Sequence, residues 1–193
     1  MDPTDEQLHA RWLDGDEPAG RALFRRHAGS VLRFFRSKLP SVAEDMTQET
    51  FARFLRHREG AQHVRAFLFG IARNLVREEI RRRRPDHDEA LVSVVDLGQP
   101  ASTQLHERQH LLRALQGLPV GQQIAIELHY WEGFSSAELG EALGVSASAA
   151  RSRLDAARAG LRKSLSKAFA KRPAEEFEDL EHWVLQLRAA FDE

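Results

Sequence analysis

Apolar residues recur along this chain at spacings of three and four, and nowhere do they alternate with polar ones over a useful length, so the pattern predicts an all-α fold. Thr4 and Gln7 have the spacing of a capping box for a first helix. Asp16 followed by Pro18 opens a second, with an apolar face of Leu23, Phe24, Val31, Leu32 and Phe35. Ser41 with Glu44 predicts a cap for a third. In a fourth, Val64, Phe67, Leu68, Ile71, Ala72 and Leu75 make one broad apolar face, Arg65, Arg73, Asn74 and Arg77 lie off it, and Arg81 to Arg84 with Pro85 mark its end. The pattern then lapses from Pro85 to about Thr103, which predicts a flexible linker.

Beyond the linker a helix opens at Leu118-Pro119, and Ser135 with Glu138 repeats the capping-box spacing. Gly144 supplies a left-handed residue to end a short helix, and Ser146 is placed to cap the next. That next helix turns Ala150, Leu154, Ala157, Leu161 and Leu165 inward and Ser148, Arg151, Ser152 and Asp155 outward. The arrangement reads as a helix-turn-helix whose second helix enters a DNA major groove, its outward groups sized for base edges and phosphates. After Pro173, Phe177, Leu180, Val184, Leu187 and Phe191 form the seam of an amphipathic helix, with Glu175, Glu176, Glu178, Asp179 and Glu181 at its start. An acidic helix beside a basic reader suggests either self-inhibition, by covering the second domain or the junction between domains, or an extension of the second core.

With 193 residues, 42% hydrophobic and 30% charged, the chain can bury one moderate core or two small ones. The linker favours two small globules, each with its own interior: residues 1–84 and 104–172, joined by 85–103 and followed by an extension over 173–193. There is no Cys, which excludes a disulfide scaffold and thiolate zinc sites. No apolar run reaches the length of a signal-peptide core or a membrane span, so the expected place is the cytoplasm, with no membrane insertion. The formal net charge is only −1, yet Arg81 to Arg84 and the 151–172 stretch are basic while 175–181 is acidic. Such segregation suits a DNA binder that needs a partner before it binds tightly.

Two further signals have other readings. His106-Glu107-Arg108-Gln109-His110 has the H-E-x-x-H spacing of zinc peptidases, in which two His bind metal and Glu is the base. The charge of Arg108 inside it and the lack of a recognisable third ligand make it a coincidence, and the reading needs no metal and no cofactor. Thr47 and Thr50 are conceivable phosphorylation sites on the third helix.

Several motifs in order make the chain, from about Ala22 to Leu165, similar to the extracytoplasmic-function (ECF) group of bacterial sigma-70 factors. Residues 43–51, Ala-Glu-Asp-Met-Thr-Gln-Glu-Thr-Phe, resemble the segment that docks on the clamp helices of RNA polymerase. The resemblance implies that Glu44, Asp45, Gln48, Glu49 and Phe51 bind polymerase, with Met46 and Phe54 giving the helix a core. Ala66-Phe67-Leu68-Phe69-Gly70-Ile71-Ala72-Arg73-Asn74 and the arginine block resemble the segment that captures and opens the minus-10 element, through Arg73, Asn74, Arg77, Arg81 and Arg82. Opening of this kind needs no covalent step, because a pocket for an extruded base and cationic contacts to the single strand offset unstacking. Leu118-Pro119, Gly144-Val145-Ser146 and Arg151-Ser152-Arg153-Leu154 resemble the minus-35 reader, implying Ser146, Ser148, Arg151, Ser152, Arg153 and Arg158 as contacts.

The implied function is a sigma factor, not an enzyme, that brings core RNA polymerase to promoters in response to a stress or envelope signal. Its implied partners are the polymerase beta-prime clamp helices and beta flap, promoter DNA, and as inhibitor an anti-sigma factor or its own extension. Two departures stand out: where the family usually has Leu-x-Arg-Ala-Arg this chain has Leu154-Asp155-Ala156-Ala157-Arg158, so Ala156 replaces an Arg, and Val42 stands where an Asp is frequent. The first removes a DNA contact and leaves Asp155 to accept from a cytosine amino group or to orient Arg151 or Arg158. The alternative is a free-standing helix-turn-helix regulator whose first domain dimerises or senses a ligand.

Overall fold

The computed structural model describes residues 2–86, 92–94, 106–168, 180–188 and 191, and the all-α expectation holds throughout them. Helix α1 (Asp5–Leu13) starts on the expected reciprocal box, Thr4 accepting from the Gln7 amide at 3.2 Å and Gln7 Oε1 from the Thr4 amide at 2.9 Å. Helix α2 (Glu17–Arg36) starts on Asp16, which accepts from the Ala19 amide. Helix α3 (Ala43–His57) corrects an expectation. Pro40–Val42 winds as a 3-10 turn straight into it, so Val42 occupies the cap position with no side-chain bond, and Ser41 and Glu44 do not cap. Helix α4 (Val64–Arg83) closes the first half, whose interior holds Leu23, Phe35, Phe54, Leu68 and Leu75.

In the second half, α5 (His106–Gln116), α6 (Val120–Tyr130), α7 (Ser136–Leu143) and α8 (Ala147–Ala168) pack together, and α9 (Leu180–Arg188) lies on α5 and α6. Most of the 85–103 segment lies outside the described residues, but Val92–Val94 is fastened. Ser93 pairs with Pro119 as an isolated bridge, and the Val94 amide donates to Gln116 O at 3.1 Å. The Val120 amide donates to Val92 O at 2.8 Å, and both valines are buried.

The two helical domains form as expected, but they pack against each other rather than standing apart. The buried residues form one continuous cluster, because α4 packs against α7 and the turn after α2 meets α6. Phe69 stands edge-on between Phe34 and Phe134, each 5.5 Å away between ring centroids, so one side chain belongs to both halves. Ala66, Phe69 and Val76 lie outside the apolar face predicted for α4 and are nevertheless buried. The helix is covered on two sides.

Candidate nucleic-acid interface

The helix-turn-helix forms for the local reasons its residues suggest. Ser135 Oγ accepts from the Glu138 amide at 3.3 Å, and Glu138 reaches back to the Ser135 amide at 2.9 Å. Gly144 ends α7 at φ +63°, a conformation that strains any residue bearing a Cβ. Gly140 lets the turn fold back on α7, since a Cβ there would stand 2.9 Å from Val145 O. Ser146 caps α8 by accepting from the Ala149 amide at 3.2 Å.

On α8 the inward stripe Ala150, Leu154, Ala157, Leu161 and Leu165 is buried, while Ser146, Ser148, Arg151, Ser152 and Asp155 are exposed and Arg153 is half-buried. Arg158 turns aside. Its Nε donates to the Tyr130 hydroxyl at 2.8 Å, its Nη2 lies 3.2 Å from His129 Nε2, and Asp155 accepts from its Nη1 at 3.2 Å. Asp155 thus orients Arg158, one of the two partners considered for it, and Arg158 fastens α8 to α6.

Helix α4 places one of its candidate minus-10 groups, Arg73, at the junction of the halves. Arg73 donates through Nη1 to Leu143 O at the end of α7 and through Nη2 to Asn74 Oδ1 at 2.7 Å. Burial, followed by the positive charges of Arg77 and Arg153, pushes the Arg73 guanidinium below its ordinary value. The two arginine-bearing helices therefore crowd one place. Asn74 and Arg77 are exposed, as are Arg81 and Arg82, but the arginine block is partly neutralised from within. Glu79, nearly sealed from solvent, accepts from Arg82 Nη2 and Arg83 Nε, both at 2.6 Å. Those hydrogen bonds hold its carboxyl below the usual range despite burial.

Helix α3 carries Glu44, Asp45 and Gln48 on an exposed face. Glu49 is half-buried and accepts from Arg53 Nε at 2.8 Å and Arg56 Nη2 at 3.2 Å. Phe51 is only 7% exposed, so it serves chiefly as core. Periodicity places Phe24 in the core, yet it is 49% exposed and meets the Phe51 ring at a tilt with centroids 4.5 Å apart; Leu55 is likewise 50% exposed. Thr50 is fully buried and donates to Met46 O, which removes it as a phosphorylation site; half-buried Thr47 donates to Ala43 O. The side chains of His106 to Gln109 lie outside the described residues.

Helix α9 buries Leu180, Val184 and Leu187. Trp131 Nε1 donates to Val184 O at 2.7 Å, Arg188 Nη1 donates to Trp131 O at 2.9 Å, and Phe191 packs near the Trp131 ring. It extends the second core and leaves the outward face of α8 open, so it does not mask that face.

Sequence reasoning missed the contacts that join the halves. Lys38 and Glu127, both sealed from water, form an ion pair between the turn after α2 and α6. Ser37 Oγ donates to Glu127 Oε2 at 3.1 Å and Gln123 Nε2 to Glu127 Oε1 at 2.8 Å. Burial pushes the Lys38 ammonium down and the Glu127 carboxyl up, each opposed by the other's charge. Arg33 Nη2 donates to Glu132 at 2.8 Å, Arg65 donates to Glu132 O and lies 4.7 Å over the Phe134 ring, and His63 meets Glu141 at 2.6 Å. Only the charge of these residues was visible in sequence, since each partner lies dozens of positions away.

The comparisons with known proteins match both halves. Residues 23–85 fit the sigma-70 region 2 family model and residues 108–161 the sigma-70 region 4 model. The chain is 36% identical over 153 residues to the RNA polymerase sigma factor CarQ of Myxococcus xanthus, covering 74% of this chain and 87% of that one. It is 33% identical over 183 residues to the ECF RNA polymerase sigma factor SigE of Mycolicibacterium smegmatis, covering 86% and 71%. Among solved structures, the sigma factor RpoE of Bartonella quintana, crystallised with the anti-sigma factor NepR, superposes with a TM-score of 0.59 at 23% identity, over 76% of this chain and 96% of that chain, and so shares the fold. A shared interior would by itself count against a two-module sigma factor, but relatives matched across both modules outweigh it. The chain belongs to the ECF group of the sigma-70 family and is a sigma factor.

Proposed function

We propose that this factor docks on core RNA polymerase through the exposed Glu44, Asp45 and Gln48 of α3, with Glu49 shaped by Arg53 and Arg56 and with Phe24 and Phe51 as the apolar neighbour. It engages the minus-10 element through Arg73, Asn74, Arg77, Arg81 and Arg82 on α4. The minus-35 element is read from the N-terminal part of α8, where Ser146, Ser148, Arg151 and Ser152 are exposed and Arg153 stands at the edge, while Arg158 supports the helix. The observation that carries this reading is the separation of the groups. Arginines suited to phosphates and amide or hydroxyl groups suited to base edges occur on two helices, one in each half, while the acidic face sits on a third helix.

No covalent chemistry is needed, and the protein acts as an initiation factor rather than an enzyme, in the compartment that holds polymerase and DNA, the cytoplasm. The described helices include none long and apolar enough to cross a membrane. Because α4 is packed on α7, with Arg73 bonded to Leu143 O, the free chain is in a closed arrangement that must part before α4 and α8 reach two stretches of one promoter. Internal packing therefore restrains the free factor, whether or not an anti-sigma protein adds to it.

The test is co-purification with core polymerase followed by run-off transcription. The purified chain is expected to bind core enzyme without DNA and to give promoter-dependent transcripts. Tight binding to duplex DNA alone, with no affinity for core enzyme, would instead establish the free-standing regulator.

A further inference from the structure

The contact between α6 and the turn that follows α2, made by Ser37 and Lys38, carries charge into the interior. Around it lie Phe35, Leu39, Ile124 and Leu128, all fully buried. At its centre sits an ion pair whose side chains are 0% exposed for Lys38 and 2% for Glu127. Lys38 Nζ also donates to Phe34 O at 3.0 Å and Ser37 Oγ at 2.9 Å, and it lies 3.9 Å over the Phe34 ring. Gln116 Nε2 reaches Ser37 O at 3.5 Å. The network is incomplete: the buried Oε1 atoms of Gln116 and Gln123 find no hydrogen-bond donor among the described residues.

A junction meant to stay shut is made better from apolar side chains. Taking two charges out of water is costly, and replacing a buried ion pair by apolar groups of similar volume is often neutral or stabilising. Charges have the opposite merit when the junction opens, for each regains full hydration, whereas exposed apolar groups would drive reclosure or aggregation.

Resting on the reading that the halves must part, the geometry points to Lys38–Glu127, with Ser37 and Gln123, as a catch that holds the turn after α2 on α6 in the free chain and keeps that closure reversible. It belongs to neither the docking face nor the DNA-reading groups, and its role is to set the balance between closed and open forms.

The two ways of altering the pair act in opposite directions. Removing one member, by Lys38→Ala or Glu127→Ala, strands a charge and raises the open-to-closed ratio about a hundredfold, roughly 3 kcal/mol at about 1.4 kcal/mol per tenfold. Replacing both, by Lys38→Met with Glu127→Leu, tightens closure and lowers transcription below the natural chain.

Because the chain lacks Cys, spin labels can be placed only at Arg25→Cys and Arg162→Cys, exposed sites on α2 and α8, and the inter-label distance read by pulsed electron paramagnetic resonance in the full chain. The single variants should gain a long-distance population and transcribe more with core polymerase, and the double variant should lose any long-distance population and transcribe less. Unchanged distances in well-folded single variants, or a double variant that opens as the single ones do, overturn the catch. If circular dichroism shows the single variants to be unfolded, the double variant decides alone, and natural or greater opening in it overturns the proposal. Distances that respond as stated with no polymerase-dependent transcript from any variant would support the catch while refuting the polymerase role.

Discussion

Helices α4 and α8 both carry arginines proposed for promoter contacts, yet they stand in opposite situations. Helix α8 buries one stripe and leaves its outward face to solvent, as its periodicity predicts, whereas α4 buries Leu68 and Leu75 on one side and Ala66 and Phe69 on another. A stripe of apolar residues reports one packing surface well. It reports a second poorly when that surface is made from a few small or aromatic residues and completed by a distant part of the chain. The difference also shows at the candidate groups: those of α8 face solvent, whereas on α4 Asn74, Arg77, Arg81 and Arg82 are exposed but Arg73 is tied to Leu143 O at the junction.

The largest effect should come from the residue that serves both halves. Phe69→Ala leaves a cavity between Phe34 and Phe134 and should lower the unfolding free energy by about 3–5 kcal/mol in urea denaturation, with faster amide exchange in both α4 and α7. A loss confined to α4 would show that the two halves do not share it. On α8 the contrast should invert, because Arg151 is exposed: Arg151→Ala should change stability by less than about 0.5 kcal/mol while weakening recognition of the upstream element by about 1–3 kcal/mol. Footprinting on promoters with and without that element separates loss of base reading from loss of phosphate contact.

Smaller effects probe how the reader is held. Gly144→Ala forces a side chain into φ +63° and places its Cβ 3.2 Å from the Arg73 guanidinium. A cost of about 1–2 kcal/mol is expected from the backbone strain, read as a lower thermal midpoint, whereas Ser135→Ala should cost only about 1 kcal/mol through the lost cap. The smallest is a slope with pH. Glu79 and Asp5 both have carboxyls below their ordinary values, for although burial opposes ionisation, Arg82 and Arg83 hold the first and His27 and Arg26 the second. A carboxyl depressed by folding adds stability above its unfolded value and loses it as pH falls through the folded one, so stability should decline below the usual carboxylate range near 4. Glu79→Gln should flatten that decline, and an unaltered acid slope would assign it to other groups.

What the sequence made legible was local. The boxes at Thr4 and Ser135, the left-handed Gly144 and the inward stripe of α8 depend on residues within four positions of one another, and all form. The cap at Ser41 had the right spacing and failed because Pro40 draws the chain into a 3-10 turn before the helix begins. Phe24 fitted the helical period of α2 but found an aromatic neighbour at the surface in Phe51. Lys38 and Glu127 read as ordinary charges, since nothing near either in the chain announces a partner 89 positions away. The candidate contacts on α3 and α8 could be named from the motif, but the engagement of Arg158 by Tyr130 and His129 depends on how α8 crosses α6.

The strip Val92–Val94 sets a leash. Nine Cα-to-Cα steps separate the last helical residue of α4, Arg83, from Val92, a stretch that fully drawn out spans about 30 Å. While the strip stays pinned to Gln116 and Val120, the C-terminal end of α4 cannot travel farther than that from the corner between α5 and α6. Peeling it away lengthens the leash to the 23 steps between Arg83 and His106, about 80 Å, at the cost of exposing Val92 and Val94 and breaking the backbone bonds to Gln116 and Val120.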